Sequence, residues 1–518
     1  MKEIKILPVT FALTAVLFTS GQKFFAAKKQ NIILILADDM SYFDLSCLGQ
    51  KKFKTPNIDK LYNDGLFFSQ AYCGAPECTP SRCTLMQGKH LGHSRIRLNN
   101  SVRGQDHLID QDITIAEMLK KGGYNTGFVG KWGMGLPRTE GTPEKQGFDY
   151  SYGYTDQLTA HGYYPNYLYE NGKPVSFPEN YGFNMAKVYK HTSSKEGLNI
   201  YNENGELIPD GVKDPAKAKN SQNLIHEKAL HFIRDNQKSP FFLYYATQLP
   251  HGPLITPNLG EFKDEPWELK NKEWAAMMTH LDRHIGELID LTVELGIEKN
   301  TIFLFASDNG YSHWGYMNRA RYEDDPVFKN KGPWKGGKFS SFDGGMRVPL
   351  IAYCPGKIPH NTTAHPVVLY DLFATACDIA GVKSPENDGI SIVPLLMGKP
   401  EKQKNHAFFY WGGGTFMPQA QAVRLGDWFG MRASINEPVQ LWNLQKDLKC
   451  ERNVAGENPS IIREILHIME KEHEDSEWYE NPGDSASDIK AKKEKAQKNN
   501  TMQNDIGPNT QFQENIVN

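Results

Sequence analysis

The chain has few cysteines and no excess of charge of either sign, and both shortages exclude whole classes of protein. Only seven cysteines occur in 518 residues, a sparse and odd number that excludes a fold built on a disulfide framework. No C-x-x-C pair is present, which argues against a thiolate zinc site. The 58 basic and 61 acidic residues give a net charge of -3, and this near-neutral balance gives no support for a nucleic-acid-binding protein, which would need a basic face.

Long apolar runs are missing beyond the N-terminal segment, and we therefore expect no membrane span. What is present is typical of a globular protein, because 39% of the residues are hydrophobic and 23% are charged. A chain of this length is expected to contain more than one domain.

The two ends of the chain differ from its body. Residues 1–27 have the pattern of a signal peptide. Lys2 and Lys5 precede an apolar run over residues 6–18, and small residues follow that run. The alternative is an N-terminal strand or helix of the folded core. A signal peptide directs export, so we expect a periplasmic or secreted protein. Residues 483–518 are polar and predict a flexible tail, because they can bury too little surface to offset the entropy of ordering.

The body of the chain alternates between short apolar runs and helix-forming stretches. This pattern predicts an α/β domain with a mostly parallel sheet flanked by helices, which we assign to residues 28–400. Its first run, Asn31–Ala37, contains almost only apolar residues and predicts a strand buried on both faces. Residues 401–482 predict antiparallel strands and a helix, and hence a smaller C-terminal α+β domain.

Acidic side chains follow two of the predicted buried strands. Asp38 and Asp39 come after the first strand, and Asp308 and Asn309 come after a later one. In a parallel sheet these positions share one edge, where three carboxylates would repel each other unless a cation lies between them. Oxygen ligands favour Ca²⁺ or Mg²⁺ over zinc. The alternatives are helix capping for the first pair and a tight turn for the second.

A second group of reactive side chains lies in the stretch from Cys78 to Arg82. Pro80 suits the first turn of a helix, which places Cys78 at the helix N-terminus. Backbone N–H groups and the helix dipole favour an anionic ligand there, and Arg82 adds a cation one turn along. The alternatives are a buried structural thiol and a thiolate nucleophile.

Residues 78–82 read C-x-P-S-R, and this motif resembles the signature of the formylglycine-dependent sulfatases of the alkaline-phosphatase-like superfamily. Further stretches resemble the family's metal-binding, G-K-W, P-H and G-G-x-R-V-P segments, in the same order: residues 33–40, 130–132, 241–253, 307–310 and 337–349. The resemblance covers about residues 30–470, and it is nearest to bacterial carbohydrate sulfatases. It implies an alkaline-phosphatase-like fold and a sulfuric ester hydrolase.

The resemblance also implies a role for each matching residue. Cys78 would be converted to formylglycine by a sulfatase-maturating enzyme. One divalent cation, usually Ca²⁺ with Mg²⁺ possible, would be bound by position 78 and by four oxygen-bearing side chains: Asp38, Asp39, Asp308 and Asn309. Arg82 would orient the modified residue, Lys131 and Lys338 would bind sulfate oxygens, and His251 would assist the leaving alcohol.

The implied reaction explains why the family modifies its cysteine. The aldehyde hydrates to a geminal diol, and one of its hydroxyls attacks sulfur while a general acid protonates the departing oxygen. Loss of a proton from the second hydroxyl then expels the sulfate and restores the aldehyde. An ordinary serine or cysteine has no second hydroxyl for that step.

Two positions depart from the family pattern. Many members read G-K-W-H-x-G, whereas this chain has Gly133 in place of that histidine, which is commonly credited with the final deprotonation. The acceptor could be His93, His161, His313 or water, and the sequence leaves this choice open. Asp343 stands where the family usually has glutamate, which is a mild change.

The loops that follow the motifs carry candidate substrate-binding residues, since loops on a rigid scaffold usually carry recognition. Five basic side chains in them would suit a galactose-type or hexosamine-type sulfate: His93, Arg95, Arg97, His161 and His313. Each could equally be a surface or packing residue. Two other functions remain open, a phosphonate monoester or phosphodiester hydrolase of the same superfamily and an inactive glycan-binding relative.

Overall fold

The computed structural model describes most of the chain, in six ranges: residues 29–102, 104–183, 200–209, 211–212, 214–312 and 323–499. The signal peptide expected at 1–27, His313 and the chain from 500 onwards lie outside the described residues. Within the described ranges, no helix is both long enough and apolar enough to cross a membrane.

The strands of the described residues begin early in the chain and recur throughout it. In chain order they are β1 (Asn31–Ala37), β2 (Leu66–Tyr72), β3 (Asn125–Lys131), β4 (Tyr150–Tyr154), β5 (Tyr167–Glu170), β6 (Lys173–Ser176), β7 (Ile200–Tyr201), β8 (Leu207–Ile208), β9 (Phe241–Ala246), β10 (Thr301–Ser307), β11 (Arg347–Tyr353), β12 (Asn361–Thr363), β13 (Val367–Val368), β14 (Phe409–Gly412), β15 (Gln421–Leu425), β16 (Trp428–Arg432) and β17 (Gln440–Asn443).

Helices connect and cover these strands. In chain order the α-helices of the described residues are α1 (Pro56–Asp64), α2 (Cys78–Gln87), α3 (Ile115–Lys121), α4 (Ser221–Asn236), α5 (Leu269–Glu294), α6 (Asp343–Met346), α7 (Asp371–Ala380), α8 (Val393–Leu396), α9 (Pro459–Lys471) and α10 (Ala486–Asn499).

A large mixed sheet forms the centre of the molecule. Its strands lie in the order β12-β2-β11-β10-β1-β9-β3-β4-β5-β6, and β13 also pairs with β2. The five central strands from β10 to β4 run parallel, while β11 is antiparallel to both of its neighbours. This confirms the predicted mostly parallel sheet. It also brings the carboxyl ends of β1, β3, β9 and β10 to one edge, where loops leave the sheet.

Strand β1 is buried on both faces, as its uninterrupted apolar sequence predicts. Ile32, Leu34 and Leu36 point into one hydrophobic core, and Ile33 and Ile35 point into the other. The alternation follows from the two-residue period of a strand, and helices on both sides of the sheet complete the two cores. The central strands are therefore a rigid base for the loops at their carboxyl ends.

The C-terminal strands form a separate antiparallel sheet in the order β14-β15-β16-β17, which confirms the predicted change of architecture. One face of this sheet packs with α9 in a small core that includes Tyr410 and Ile465. The other face, with Trp411 and Trp442, belongs to one of the two cores of the large sheet. The small sheet is therefore fixed to the α/β domain by a shared apolar core.

A helix stands where the polar composition predicts a flexible tail. Helix α10 begins after Ser485, whose backbone N–H donates to Asp488 Oδ2 at 2.9 Å. Lys492 Nζ donates to the carbonyl oxygens of Ser476 and Tyr479, both at 2.9 Å. Capping and lysine contacts thus hold a helix in a segment that has little apolar surface.

Three buried histidines meet between α4 and α5, on the face of the sheet opposite to α2 and α3. The rings of His226 and His284 are stacked with centroids 3.9 Å apart, and Tyr245 Oη lies 3.3 Å from His284 Nδ1. His280 Nε2 lies 2.9 Å from Asn223 Oδ1. Burial lowers the pKa of all three histidines, to about 3 for His280, so they are neutral in the folded protein.

These histidines predict a loss of stability in mild acid. His280 gains a proton near pH 6.5 in the unfolded chain, whereas in the folded protein it stays neutral to about pH 3, so acid favours the unfolded state. At about pH 5 this group lowers the free energy of unfolding by about 2 kcal/mol. His280→Gln keeps an N–H donor for Asn223 and should reduce the loss by about that amount. Urea denaturation at about pH 7.5 and pH 5 measures it, and an unchanged difference in the variant would contradict the prediction.

Candidate active site

The acidic residues meet because β1 and β10 are neighbours in register. Ala37 pairs with Ser307, so Asp38 and Asp308 leave the sheet side by side. The Asp39 backbone N–H donates to Asp308 Oδ1 at 3.1 Å. Asp39 has a φ of 65°, a left-handed conformation that aspartate tolerates better than most residues.

Helix α2 places Cys78 against this acidic group. The helix begins at Cys78, and all ten of its residues are buried. Cys78 Sγ lies 3.4 Å from Asp38 Oδ1 and 3.3 Å from Lys338 Nζ. Ligand atoms of Asp38, Asp39, Cys78 and His251 all lie within 4.8 Å of one another. The residues from separate motifs thus form one cluster.

Three buried cations face the three carboxylates. Arg82 donates through Nε and Nη2 to Asp308 Oδ2 at 3.1 and 2.8 Å, and through Nη1 to the carbonyl oxygen of Lys131 at 3.0 Å. Lys131 Nζ lies 2.7 Å from Asp38 Oδ2. Lys338 Nζ likewise lies 2.6 Å from Asp39 Oδ1. We call these six side chains, with Cys78, Asn309 and His251, the catalytic cluster.

Burial and charge act on the acidic groups in opposite directions. Burial alone would raise the pKa of Asp39, but the charges of Lys338 and His251 outweigh it and hold that pKa well below its usual range. Burial raises the pKa of Asp308 to about 6, and the neighbouring Asp38 adds to the rise. Burial therefore disfavours the charged form of Asp308 more than that of Asp39.

The thiol of Cys78 is not activated by its surroundings. Burial raises its pKa far above the usual value, although the lysines at positions 131 and 338 act against the rise. A thiol that keeps its proton is a poor nucleophile. The unmodified side chain is thus positioned for chemistry but is unreactive at neutral pH.

His251 completes the cluster at the end of the loop that follows β9. Its Nδ1 contacts the carbonyl oxygen of Gly252, and its Nε2 lies 3.4 Å from both Asp39 Oδ2 and Lys338 Nζ. The ring stacks on His161 with centroids 4.0 Å apart. Burial lowers the pKa of His251 to about 3. The structure thus brings His161, one of the predicted substrate-binding residues, to the edge of the cluster.

The oxygen atoms of the cluster fit a hard divalent cation. Asn309 Nδ2 donates to Asp39 Oδ1 at 2.9 Å, whereas the buried Asn309 Oδ1 has no hydrogen-bond partner among the described residues. A buried acceptor without a donor is costly, and a cation would satisfy it. Three carboxylates and one amide oxygen are donors that Ca²⁺ and Mg²⁺ prefer.

Three other predicted substrate-binding residues make their contacts away from the catalytic cluster. His93 Nδ1 lies 3.0 Å from Asp388 Oδ2, Arg95 pairs with Asp112, and Arg97 Nη2 donates to the carbonyl oxygen of Gly92 at 3.0 Å. Helix α2 explains this placement, because its ten residues span about 15 Å and the three side chains follow its far end.

Sequence reasoning missed several neighbours of the cluster. Ser312 Oγ donates to Asp39 Oδ2 at 3.0 Å. Glu77 is buried beside Cys78 and accepts hydrogen bonds from the Asn99 backbone N–H at 3.2 Å and Thr415 Oγ1 at 2.6 Å. Burial raises the pKa of Glu77 to about 7. The position of Glu77 next to Cys78 in the sequence could have marked it as part of the site. No local sequence pattern predicts its hydrogen bond with Thr415, which is more than 330 positions away.

Gly133, which replaces the family's histidine, faces the first turn of α2. A Cβ atom at this glycine would lie 3.1 Å from Thr79 Oγ1 and 3.8 Å from Gln157 Cβ. Thr79 Oγ1 and Gln157 Oε1 are buried and have no hydrogen-bond partner within the described part of the chain. The missing imidazole therefore leaves polar atoms beside the catalytic helix.

Comparison with known proteins agrees with this geometry. The sulfatase family profile matches residues 30–382. The N-acetylgalactosamine-6-O-sulfatase of Bacteroides thetaiotaomicron is 28% identical, over 86% of this chain and 93% of that protein. The N-acetylgalactosamine-6-sulfatase of Canis lupus familiaris is 30% identical, over 78% of this chain and 72% of its own length.

A solved structure has the same fold over nearly its whole length. The crystal structure of Ps i-CgsB in complex with k-i-k-neocarrahexaose superposes with a TM-score of 0.67 at 27% identity, covering 87% of this chain and 95% of that one. The sequence resemblance is thus confirmed by the profile, the relatives and the fold. The chain belongs to the sulfatase family and is a sulfuric ester hydrolase.

Proposed function

We propose that this sulfatase is exported and removes sulfate from a galactose-type or hexosamine-type sugar, using a formylglycine made from Cys78 and a divalent cation. One observation carries the proposal: Cys78 Sγ lies 3.4 Å from Asp38 Oδ1 and 3.3 Å from Lys338 Nζ, where the oxygen ligands and the cations meet. The N-terminal sequence pattern supports export.

The inert thiol supports the modification. Because burial raises the pKa of Cys78, the encoded side chain offers no nucleophile at neutral pH. A formylglycine at this position supplies a hydrated carbonyl, with one oxygen to attack sulfur and another to release the sulfate. A sulfatase-maturating enzyme would act on the C-x-P-S-R motif.

Four side chains would hold the cation, and they are Asp38, Asp39, Asp308 and Asn309. The bound cation, Ca²⁺ in the first place and Mg²⁺ as the alternative, supplies positive charge to the sulfate oxygens and to the nucleophile. The charges of the catalytic cluster are balanced without it, since three carboxylates face three cations. A divalent cation adds two positive charges, which leaves the cluster complementary to an anionic ester.

The basic side chains of the cluster have separate tasks. Arg82 fixes the end of β10 and the end of β3 to the catalytic helix, through Asp308 and the carbonyl oxygen of Lys131. Lys338 Nζ lies 3.3 Å from Cys78 Sγ, and Lys131 Nζ donates to Asp38, the carboxylate that Cys78 Sγ also contacts. The two lysines can stabilise the negative charge that moves over the sulfate oxygens during the reaction.

His251 is placed to exchange a proton with the leaving oxygen. Its Nδ1 is held by the carbonyl oxygen of Gly252, so Nε2 faces Asp39 and Lys338. A histidine fixed in this way presents one ring nitrogen to the substrate. His161 stacks against the ring and keeps its plane fixed.

The sugar is suggested by the relatives. Two of them are N-acetylgalactosamine-6-sulfatases, and Ps i-CgsB was crystallised with a neocarrahexaose. We therefore propose N-acetylgalactosamine 6-sulfate or a sulfated galactose as the first substrates to test.

A substrate panel tests the proposed activity. We expect release of sulfate from N-acetylgalactosamine 6-sulfate or from sulfated galactose oligosaccharides, with slower turnover of 4-nitrophenyl sulfate. Ion chromatography of free sulfate measures the reaction. Hydrolysis of 4-nitrophenyl phosphate or a phenyl phosphonate faster than any sulfate would contradict the proposal, as would turnover of the aryl sulfate with every sulfated sugar refused.

Replacement of Cys78 tests the nucleophile. Cys78→Ala should lower kcat by about 10⁴-fold or more, because it removes the site of modification. Cys83→Ala is the matched control, since Cys83 is also buried on α2 but contacts Gln87 instead of the cluster. Mass spectrometry of the peptide over residues 73–89 should show an aldehyde at position 78 in the active enzyme. A free thiol there in fully active enzyme would overturn the proposed nucleophile.

Removal of metal tests the cation site. Chelation should abolish sulfate release, Ca²⁺ should restore it, and Ca²⁺ at about 100 times its Kd should stabilise the fold by about 2.7 kcal/mol. Asn309→Ala removes a ligand without a change of charge and should weaken both effects. Asp388→Asn is the control, because Asp388 lies in a separate group with His90 and His93. If Asn309→Ala responded to Ca²⁺ as the wild type does, the cation would not lie in the catalytic cluster.

A further inference from the structure

A cavity of about 410 Å³ lies beside the catalytic cluster, between residues 335–342 and the loop that joins β14 to β15. We propose that this cavity binds the saccharide unit next to the sulfated sugar, and that it holds the apolar face of an uncharged pyranose. The inference rests on the proposed function, because it assigns a second sugar to the same substrate. Its volume is in the range of cavities that bind small ligands.

The cavity adjoins the segment that carries Lys338 into the cluster. Cys78 is 0% exposed and Lys338 is 4% exposed, whereas Phe416, which lines the cavity, is 46% exposed. Phe339 follows Lys338 directly and forms a wall of the cavity. Lys338 Nζ lies 3.3 Å from Cys78 Sγ and 5.4 Å from the centroid of the Phe339 ring. The reacting sulfate and this aromatic wall are thus neighbours of the same ammonium group.

The aromatic wall is held in place by unusual backbone geometry. Phe339 has a φ of 71°, a left-handed conformation that is uncommon for a bulky residue and tends to occur at functional sites. Its backbone N–H donates to the carbonyl oxygen of Pro76 at 2.7 Å. A Cβ atom at Gly414 would lie only 2.7 Å from the Phe339 carbonyl oxygen, so the two segments pack without space between them.

The second aromatic side comes from the C-terminal sheet. The rings of Phe339 and Phe416 meet edge to face, with centroids 4.9 Å apart. The loop that carries Phe416 is tied to the start of α2, because Thr415 Oγ1 donates to Glu77 Oε2 at 2.6 Å. The small sheet therefore presents an exposed ring at a fixed distance from the catalytic helix.

The charges around the cavity fit an uncharged sugar. Among the described residues that line it there is no carboxylate, and the one cationic side chain is Lys335. Lys335 Nζ donates to the carbonyl oxygen of Cys450 at 3.1 Å and lies over the rings of Phe342 and Trp442, at 4.5 and 5.0 Å from their centroids. A second sulfate would find no uncommitted cation among the lining residues. Aromatic rings and the Ser340 hydroxyl suit a pyranose with C–H groups on one face.

A sugar bound in the cavity should make the enzyme prefer a disaccharide substrate to a monosaccharide. A substrate with one sulfated and one unsulfated unit would fill both the cluster and the cavity, whereas a sulfated monosaccharide would fill the cluster alone. The ratio of kcat/KM for the disaccharide to kcat/KM for the monosaccharide measures what the cavity contributes, independently of the chemical step.

The experiment compares N-acetylgalactosamine 6-sulfate, free and linked to one unsulfated galactose, in wild type and variants. We expect the wild type to prefer the disaccharide, and Phe416→Ala to lower the ratio roughly threefold to tenfold, the range for loss of one aromatic contact. Phe416→Tyr should keep the ratio. Phe339→Gly suits the positive φ and should lower the ratio as well. Val293→Ala is the control, because it removes another exposed apolar side chain, 58% exposed, near the C-terminal end of α5.

A second measurement separates this inference from the proposed function. Binding of unsulfated galactobiose, followed by saturation-transfer NMR, should be detectable in the wild type and weaker in Phe416→Ala, whether or not any sulfated sugar is hydrolysed. Failure of all sulfated sugars in the panel would refute the proposed substrate alone. Equal ratios in wild type and Phe416→Ala, or galactobiose binding that the variant does not weaken, would overturn the assignment of the cavity.

Discussion

The pairing of three buried carboxylates with three buried cations is the constraint on which the rest of the structure depends. Arg82, Lys131 and Lys338 each neutralise one acid, and removal of one member of a buried pair costs about 3–5 kcal/mol because the other charge is left uncompensated. Each pair also joins two segments that are distant in sequence. The charges of the catalytic cluster therefore determine both its chemistry and the way in which the strand ends and α2 meet.

The small C-terminal sheet is part of this arrangement. Trp411 Nε1 donates to the carbonyl oxygen of Cys73 at 3.2 Å, five residues before the catalytic helix begins. Thr415 binds Glu77, and Trp442 lies under Lys335, three residues before Lys338. Each contact supports a segment that leads directly to the catalytic cluster. The small C-terminal sheet thus supports the segments that form the site, and its loop supplies one side of the neighbouring cavity.

The central strands and the residues directly after them could be predicted from the sequence, because an apolar run such as Asn31–Ala37 marks both a buried strand and the position of its carboxyl end. Whether a residue that a helix separates from the motif lies at the site could not be predicted in this way. Arg97 is near Cys78 in the sequence, but α2 separates them, while Thr415 is remote in the sequence and close in space. The helix at 486–499 was also hidden, because polar contacts order it without an apolar face.

The complete burial of Cys78 has a consequence for the biogenesis of the protein. Its side chain has no exposed surface, and it is enclosed by α2, the strand ends and the segment around Lys338. A second enzyme could bind that stretch of chain only if the centre of the molecule were unfolded. Under the proposed function, a maturating enzyme would have to reach Cys78 while the polypeptide is still extended, before the sheet closes. Modification would then come first and folding afterwards.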